Sequence, residues 1–165
     1  MVLRVAAPTG LTVSQSRASV VRLMVPTDAN FTGAVFGGAI LAEIDRVAYV
    51  SATRHAHLQC VTASFDRADF LEPVHVGELV EFDAMLTFVG RSSMEVWVRV
   101  RAEALVGGPR RPVVEAFVTM VAVDRDNRPV PVPPLLLETD EERRRFEEGR
   151  ARMEARRRSR RAGQG

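Results

Sequence analysis

Hydrophobic residues recur along this chain with two different periods, and the change of period divides it. Between Gly38 and His57 the spacing is helical: Ile40, Ile44, Val47 and Ser51 share one face with Leu41 and Ala48, which predicts a long amphipathic helix. Beyond it the period becomes two. Val61, Ala63 and Phe65 alternate with Thr62, Ser64 and Asp66, and Val80, Phe82, Ala84, Leu86 and Phe88 continue the pattern. Met94, Val96, Val98, Val100 and Ala102 stand against Glu95, Trp97, Arg99, Arg101 and Glu103. Gly90-Arg91 and Val106-Gly107-Gly108-Pro109 bound these runs as hairpin turns do. Residues 113–123 are apolar on both faces except for Glu115 and Thr119, the pattern of a strand inside a sheet. A first short strand is predicted over residues 18–25. An irregular loop follows, marked by Pro26-Thr27-Asp28-Ala29-Asn30 and by Gly33, Gly37 and Gly38.

One strand, one long helix and four strands with short connections make an α+β layer with an antiparallel sheet, because parallel pairing needs a crossover of about a dozen residues. Residues 1–16 are expected as a loose lead-in, 17–137 as the domain, and 138–165 as a charged C-terminal helix and Arg-rich tail. Thr139 followed by Glu142 is a capping box that starts this last helix. Its apolar anchors are few, mainly Phe146 and Met153, so it reads as solvated and partly frayed.

Composition changes the picture in two places. All 23 basic residues are Arg, and the sequence pI is about 9.4. Ten of these arginines lie in residues 138–165 against seven acidic residues, which leaves 13 against 14 in the body. The basicity belongs to the tail, and no nucleic-acid partner is expected from it. The single Cys60 has no partner for an internal disulfide, which fits a reducing cytoplasm. No apolar run approaches the ~18 residues of a membrane span, and residues 1–10 lack the pattern of a signal peptide, so a cytoplasmic protein with no membrane partner is expected.

Candidate chemistry gathers around the start of the long helix. A Gly-Gly pair there, Gly37-Gly38, lets a ligand approach backbone N–H groups that have no intrahelical partner, and the helix dipole behind them suits a developing oxyanion. Asp45 lies about two turns in, at the edge of the apolar stripe, roughly 40° from Leu41 on the helical wheel. Glu43 occupies the opposite edge, so position alone does not choose between the two carboxylates. His55, His57 and Cys60 have no second ligand cluster to complete a metal site. There is no Gly-x-Ser-x-Gly elbow, dinucleotide fingerprint or P-loop.

The runs Pro26-Thr27-Asp28-Ala29-Asn30, Gly33-Ala34-Val35-Phe36-Gly37-Gly38 and Glu43-Ile44-Asp45 resemble the opening of the hotdog-fold acyl-CoA thioesterases, the cytosolic or brain-type acyl-CoA hydrolases and their bacterial single-domain counterparts. The likeness continues through Thr53-Arg54-His55, Val61-Thr62-Ala63-Ser64, Asp69-Phe70-Leu71, Ser92-Ser93-Met94-Glu95-Val96 and Val130-Pro131-Val132-Pro133. It covers roughly residues 17–158. It implies a five-stranded antiparallel sheet wrapped around a long central helix, with an additional C-terminal helix. It also implies a homo-oligomer, the dimer being the minimal active unit within a trimer of dimers. The implied activity is hydrolysis of fatty acyl-CoA, with no cofactor beyond the CoA of the substrate. Asp45 would be general base or nucleophile, Asn30 would come from the partner subunit, and the N–H groups of Gly37 and Gly38 would hold the oxyanion. The CoA moiety would lie along Ala63, Ser64 and Phe65 and along Arg91, Ser92, Ser93 and Met94, with tail arginines such as Arg152 near its phosphates. The chain departs from many relatives at Ala34, where they carry Asn or Asp, and from some at Phe36, where they carry His. A non-catalytic acyl-CoA sensor of the same fold is the alternative, and a hotdog dehydratase would need a different acid–base pair.

Overall fold

The computed structural model describes residues 10–162, with side chains through residue 159. In chain order the elements are β1 (Leu11–Thr12), α1 (Val13–Ser16), β2 (Ala18–Leu23), α2 (Gly37–Ala56), β3 (Cys60–Phe70), β4 (Glu78–Val89), β5 (Ser93–Ala104), β6 (Arg111–Ala122), β7 (Leu135–Leu136) and α3 (Asp140–Ala162). Strands β2 to β6 form one antiparallel sheet in the order β2-β4-β5-β6-β3. Both predicted hairpins form, joining β4 to β5 and β5 to β6. Consecutive β3 and β4 do not pair. The connection 71–77 instead carries the chain from one edge back across the sheet, a span that a near-extended segment covers at ~3.3 Å per residue.

Helix α2 packs against all five strands. Ile40, Ile44, Val47 and Ser51 face Phe82, Leu86, Val98 and Val118, and all are buried, as the periodicity predicts. Ala48, Ala52 and Ala56 are also buried; their small size lets the helix approach closely. The helix ends at His57, whose φ of 52° is left-handed and whose N–H donates to Thr53 O at 2.9 Å.

One buried polar residue on α2 has a structural job. His55 has no solvent exposure, and its Nε2 lies 2.9 Å from Pro133 O, pinning the Pro-rich segment across the end of the helix. Among the described residues Nδ1 has no partner, and the Pro133 carbonyl, an acceptor, calls for the ring proton on Nε2. Burial pulls its pKa below 6.5, the Pro133 bond opposes that, and His57 adds to it. A depressed base takes up its proton more readily unfolded. Stability is therefore full above the unfolded value and falls as pH drops through 6.5, by up to one proton or about 1.4 kcal/mol per pH unit. Urea midpoints measured across this range should fall for the protein and flatten in His55→Gln.

Part of the expected lead-in is ordered, which corrects that boundary; residues 1–9 lie outside the described residues. Leu11–Thr12 pairs in parallel with Leu135–Leu136, and Thr12 caps the short α1 through a capping box with Gln15. Val13 and Ser16 of α1 are buried, and Ser51 Oγ donates to Ser16 O at 2.9 Å.

The strict alternation over residues 61–66 is also corrected. β3 carries two bulges against β6: Thr62 faces Met120, Ser64 faces Thr119, Phe65 faces Val118 and Arg67 faces Phe117. Ala63 and Asp66 are the extra residues. Thr62 and Phe65 therefore both face α2, while Ser64 and Asp66 turn to the outer face.

That outer face is covered by α3, which is docked rather than frayed. Residues 145, 146, 149, 152, 153 and 156 make its inner stripe. Phe146 meets Phe88 with ring centroids 4.9 Å apart, and Met153 is buried. The remaining contacts are made by arginine. Arg145 stacks on Trp97 and Arg152 on Phe117, with guanidinium-to-centroid distances of 4.2 and 4.1 Å. Arg152 also forks onto Glu95, Nε to Oε2 at 3.0 Å and Nη2 to Oε1 at 2.8 Å, and Glu95 is wholly buried. Gly149 allows this approach: a Cβ there would lie 2.8 Å from Glu95 Oε1 and from Phe88 Cβ.

Candidate active site

The loop before α2 is shaped by Asp28. Its Oδ2 accepts from Val25 N at 3.0 Å, its main-chain O accepts from Phe36 N at 2.7 Å, and Arg22 pairs with its Oδ1. Beyond it the chain makes a tight turn. Asn30 N donates to Ala34 O at 2.7 Å, and Gly33, at φ +83°, donates back to Asn30 O at 3.1 Å. That turn presents the Asn30 side chain in one orientation. Its Oδ1 accepts from Thr32 N at 2.9 Å and from Thr32 Oγ1 at 2.7 Å, and among the described residues the two N–H donors of Nδ2 have no acceptor.

Helix α2 begins without a side-chain cap, as the capping residue is Phe36. Among the described residues no acceptor is bonded to Gly37 N or Gly38 N, so both donors remain open at the positive end of the helix. The Phe36 ring folds over Gly38, where a Cβ would lie 2.8 Å from it, so a larger residue there would have to push the exposed ring aside. Beside this helix start is a cleft lined by Asn30, Val35, Gly37, Ile40, Phe70 and Val74.

Geometry separates the two carboxylates that sequence position left equal. Glu43 is consumed: Arg22 and Arg46 hold its Oε1 at 3.0 and 2.6 Å. Asp45 is half-buried and has one side-chain partner, Thr62, whose Oγ1 donates to Oδ1 at 2.6 Å. Oδ2 has no partner among the described residues. Thr62 is the residue that sequence reasoning passed over; its signal was a polar side chain on the strand that follows the helix. Asp45 does not line the Asn30 cleft, and by helical rise it lies about 12 Å along the axis from Gly37. One chain therefore does not bring Asn30 and Asp45 together.

The candidate CoA segments lie at one end of the sheet, since Ser93 and Val61 both pair with Val121. Ala63 is the exposed bulge residue on the β3 edge, and Phe65 is exposed beside it. Ser64 is engaged with Asp66 Oδ1 at 2.8 Å. Arg91 and Ser92 lie in the β4–β5 turn and Ser93 opens β5; the exposed Arg91 has no carboxylate partner among the described residues. Met94 is fully buried in the core, so its side chain offers nothing to a ligand there. Nor is Arg152 free for phosphate, because Glu95 and the Phe117 ring hold it.

Comparison with known proteins places this arrangement. Residues 32–106 match the model of the thioesterase superfamily. The Bacillus subtilis protein YkhA, named as an uncharacterized acyl-CoA thioester hydrolase, is 44% identical over 117 residues, which is 71% of this chain and 68% of that protein. The cytosolic acyl coenzyme A thioester hydrolase of Rattus norvegicus is 36% identical over 86% of this chain, which spans only 38% of that longer protein. Among solved structures, an apo-hexameric acyl-CoA thioesterase superposes with TM-score 0.87 at 42% identity, covering 92% of this chain and 97% of that one. The acyl-CoA hydrolase of Staphylococcus aureus, solved with butyryl coenzyme A, coenzyme A and coenzyme A disulfide, gives TM-score 0.84 at 34% identity, covering 93% of each chain. Structures of that enzyme also exist with an asparagine, an aspartate and a threonine each replaced by alanine. The match in sequence and in hotdog architecture over nearly the whole chain has one meaning: the chain belongs to the thioesterase superfamily, among its acyl-CoA thioester hydrolases.

Proposed function

We propose that this protein hydrolyses acyl-CoA to a free carboxylic acid and CoA, with Asp45 as general base. The observation that carries the reading is the Asp45 carboxylate itself, one oxygen oriented by Thr62 and the other free. The S. aureus variants support the choice of residues. Their asparagine, aspartate and threonine are separated by 15 and 17 residues, the spacing of Asn30, Asp45 and Thr62.

In this mechanism Asp45 takes a proton from water as the water oxygen attacks the thioester carbonyl carbon. The negative charge that develops on the carbonyl oxygen meets the N–H groups of Gly37 and Gly38 and the Nδ2 donors of Asn30. Collapse of the tetrahedral intermediate breaks the C–S bond, and the protonated Asp45 returns its proton to the leaving thiolate. No serine nucleophile is required, because a thioester is already activated. CoA would run along the exposed β3 edge at Ala63, Ser64 and Phe65 towards the turn at Arg91, Ser92 and Ser93, with Met94 contributing backbone alone.

Asn30, with Gly37 and Gly38 beside the same cleft, is supplied by a second copy of the chain, since one chain keeps that cleft apart from Asp45. The β3 edge, which carries the exposed Val61, Phe65 and Phe70, is the surface such a dimer would cover. A trimer of these dimers is the full assembly, in line with the hexameric relative. Among the described residues no helix is long and apolar enough to span a membrane, and the cytosolic relatives support a cytoplasmic site of action.

Free-thiol release from butyryl- to palmitoyl-CoA tests the activity directly; no release from any of them would end the proposal. Asn30→Ala is expected to lower kcat about 100-fold with KM little changed, since one oxyanion donor is lost. The shared site makes a sharper prediction. Inactive Asp45→Ala and Asn30→Ala chains, unfolded and refolded together, should recover about a quarter of normal activity, because half the dimers are mixed and each of those rebuilds one of its two sites. Absence of recovery would place Asn30 in the same chain as its Asp45.

A further inference from the structure

The two bulges of β3 decide which side chain faces Asp45. From Thr62 to Ala68 the strand uses six residue steps, while the opposite stretch of β6, Met120 to Ala116, uses four. Without the bulges, and with Phe70 kept opposite Val114, simple alternation would run Ala68 to Ala116, Asp66 to Val118, Ser64 to Met120 and Thr62 to Ala122. Thr62 would slide about 7 Å along the sheet and Ser64 would take its place opposite Met120. Asp66 would turn inward and Phe65 outward. The bulged register is therefore a choice between two alignments that differ by two residues.

The groups that secure the choice lie on the far side of the sheet from Asp45. Asp66, a bulge residue, accepts from Ser64 Oγ at 2.8 Å and from Thr119 Oγ1 at 2.9 Å. Arg156 of α3 completes the cluster, pairing with Asp66 Oδ2 and donating to Thr119 Oγ1. The Arg156 and Asp66 side chains are only 15% and 16% exposed, so this is a largely desolvated ion pair and not a rim contact. One helical turn earlier, Arg152 fastens the same helix to Glu95. The helix is held in place by one arginine while the next grips the bulge.

We propose that Arg156 is a positioning residue for hydrolysis: it locks the doubly bulged register of β3 from the outer face and so keeps Thr62 against Asp45 on the inner face. The catalytic part of this rests on Asp45 being the base; the register lock does not. Arg156 touches no reacting group and acts through Asp66, the strand and Thr62. The C-terminal helix, which reads from sequence as a solvated tail, becomes part of the active-site frame.

Two measurements test this on the full-length protein. Amide hydrogen exchange over residues 61–69 should rise in Arg156→Ala and return towards normal in Arg156→Lys. Fluorescence of Trp97, the only tryptophan, lies under α3 and should not change, which separates a freed bulge from a detached helix. In the hydrolysis assay Arg156→Ala should lower kcat about tenfold with KM little affected, and Lys should restore most of it. The same substitution placed in Thr62→Ala should cost nothing further, because the residue it acts through is already gone. Unchanged exchange in Arg156→Ala overturns the lock, whatever the activity. Losses that multiply in the double variant overturn the route through Thr62. If the unaltered protein hydrolyses no acyl-CoA, the mechanism fails but the exchange experiment still decides the register.

Discussion

Replacing Asp45 by asparagine is expected to lower kcat for acyl-CoA hydrolysis about 10²- to 10⁴-fold while leaving KM near its normal value. The amide keeps the size of the carboxylate, and its oxygen still accepts from Thr62, which donates to Oδ1 at 2.6 Å. What disappears is the lone pair that takes the proton from water. Ground-state binding does not use that proton transfer, so the loss falls on turnover. The neighbouring carboxylate supplies the contrast. Glu43→Gln weakens the pairing with Arg22 and Arg46, a network that braces the Asp28 loop, and should act on stability before activity. Stopped-assay rates at saturating and limiting substrate distinguish the two. Full turnover in Asp45→Asn would move the base elsewhere.

A second large effect is expected in stability. Arg152→Ala leaves the Glu95 carboxylate without its cation in a place where it has no solvent exposure. Thr87 Oγ1 still donates to Glu95 Oε1 at 2.6 Å, but one hydroxyl does not replace a bidentate guanidinium. The same hydrogen bonds, donated by Arg152 to Glu95, raise the pKa of Arg152, the sign expected of a stabilising pair. Breaking a buried pair by removing one member costs about 3–5 kcal/mol, and urea unfolding should show it as a lower midpoint with little change in slope. Replacing both residues by methionine should recover much of the loss, because no charge is then stranded. A loss below about 1 kcal/mol in Arg152→Ala would mean that water reaches Glu95.

The elements that could be read from sequence are those whose pattern is carried by apolar residues alone. The 3.6-residue stripe of α2, the alternation of β5 and that of β4 from Val80 to Leu86 predict their faces correctly, and both hairpin turns lie where glycine marks them. Phe88, expected on the same face as Leu86, is turned by a bulge to the outer face, where it meets Phe146. The bulges of β3 were invisible because Val61 to Asp66 alternates well enough to be read straight through. Only pairing with β6 shows that Ser64 and Phe65 have exchanged faces. Helix α3 was misjudged for a related reason. Its docked stripe is built from Phe146, Gly149, Met153 and three arginines, and an arginine that stacks on a ring or forks onto a buried carboxylate looks solvated to any hydropathy count. Likewise the choice between Glu43 and Asp45 depended on which carboxylate already had an arginine, and Arg22 is 21 residues from Glu43 along the chain.

The small parallel pair of β1 and β7 has a kinetic consequence. Leu11 and Thr12 are among the first described residues to leave a ribosome, yet their partners, Leu135 and Leu136, are among the last before α3. During synthesis the rest of the sheet can close around α2 while this leading segment still lacks its pairing strand. Its docking is the longest-range strand pairing in the fold and should come late, after the loop-closure entropy has been met by the sheet itself. Until then the C-terminal part of α2, where Ser51 donates to Ser16 O, stays uncovered by α1 on the nascent chain.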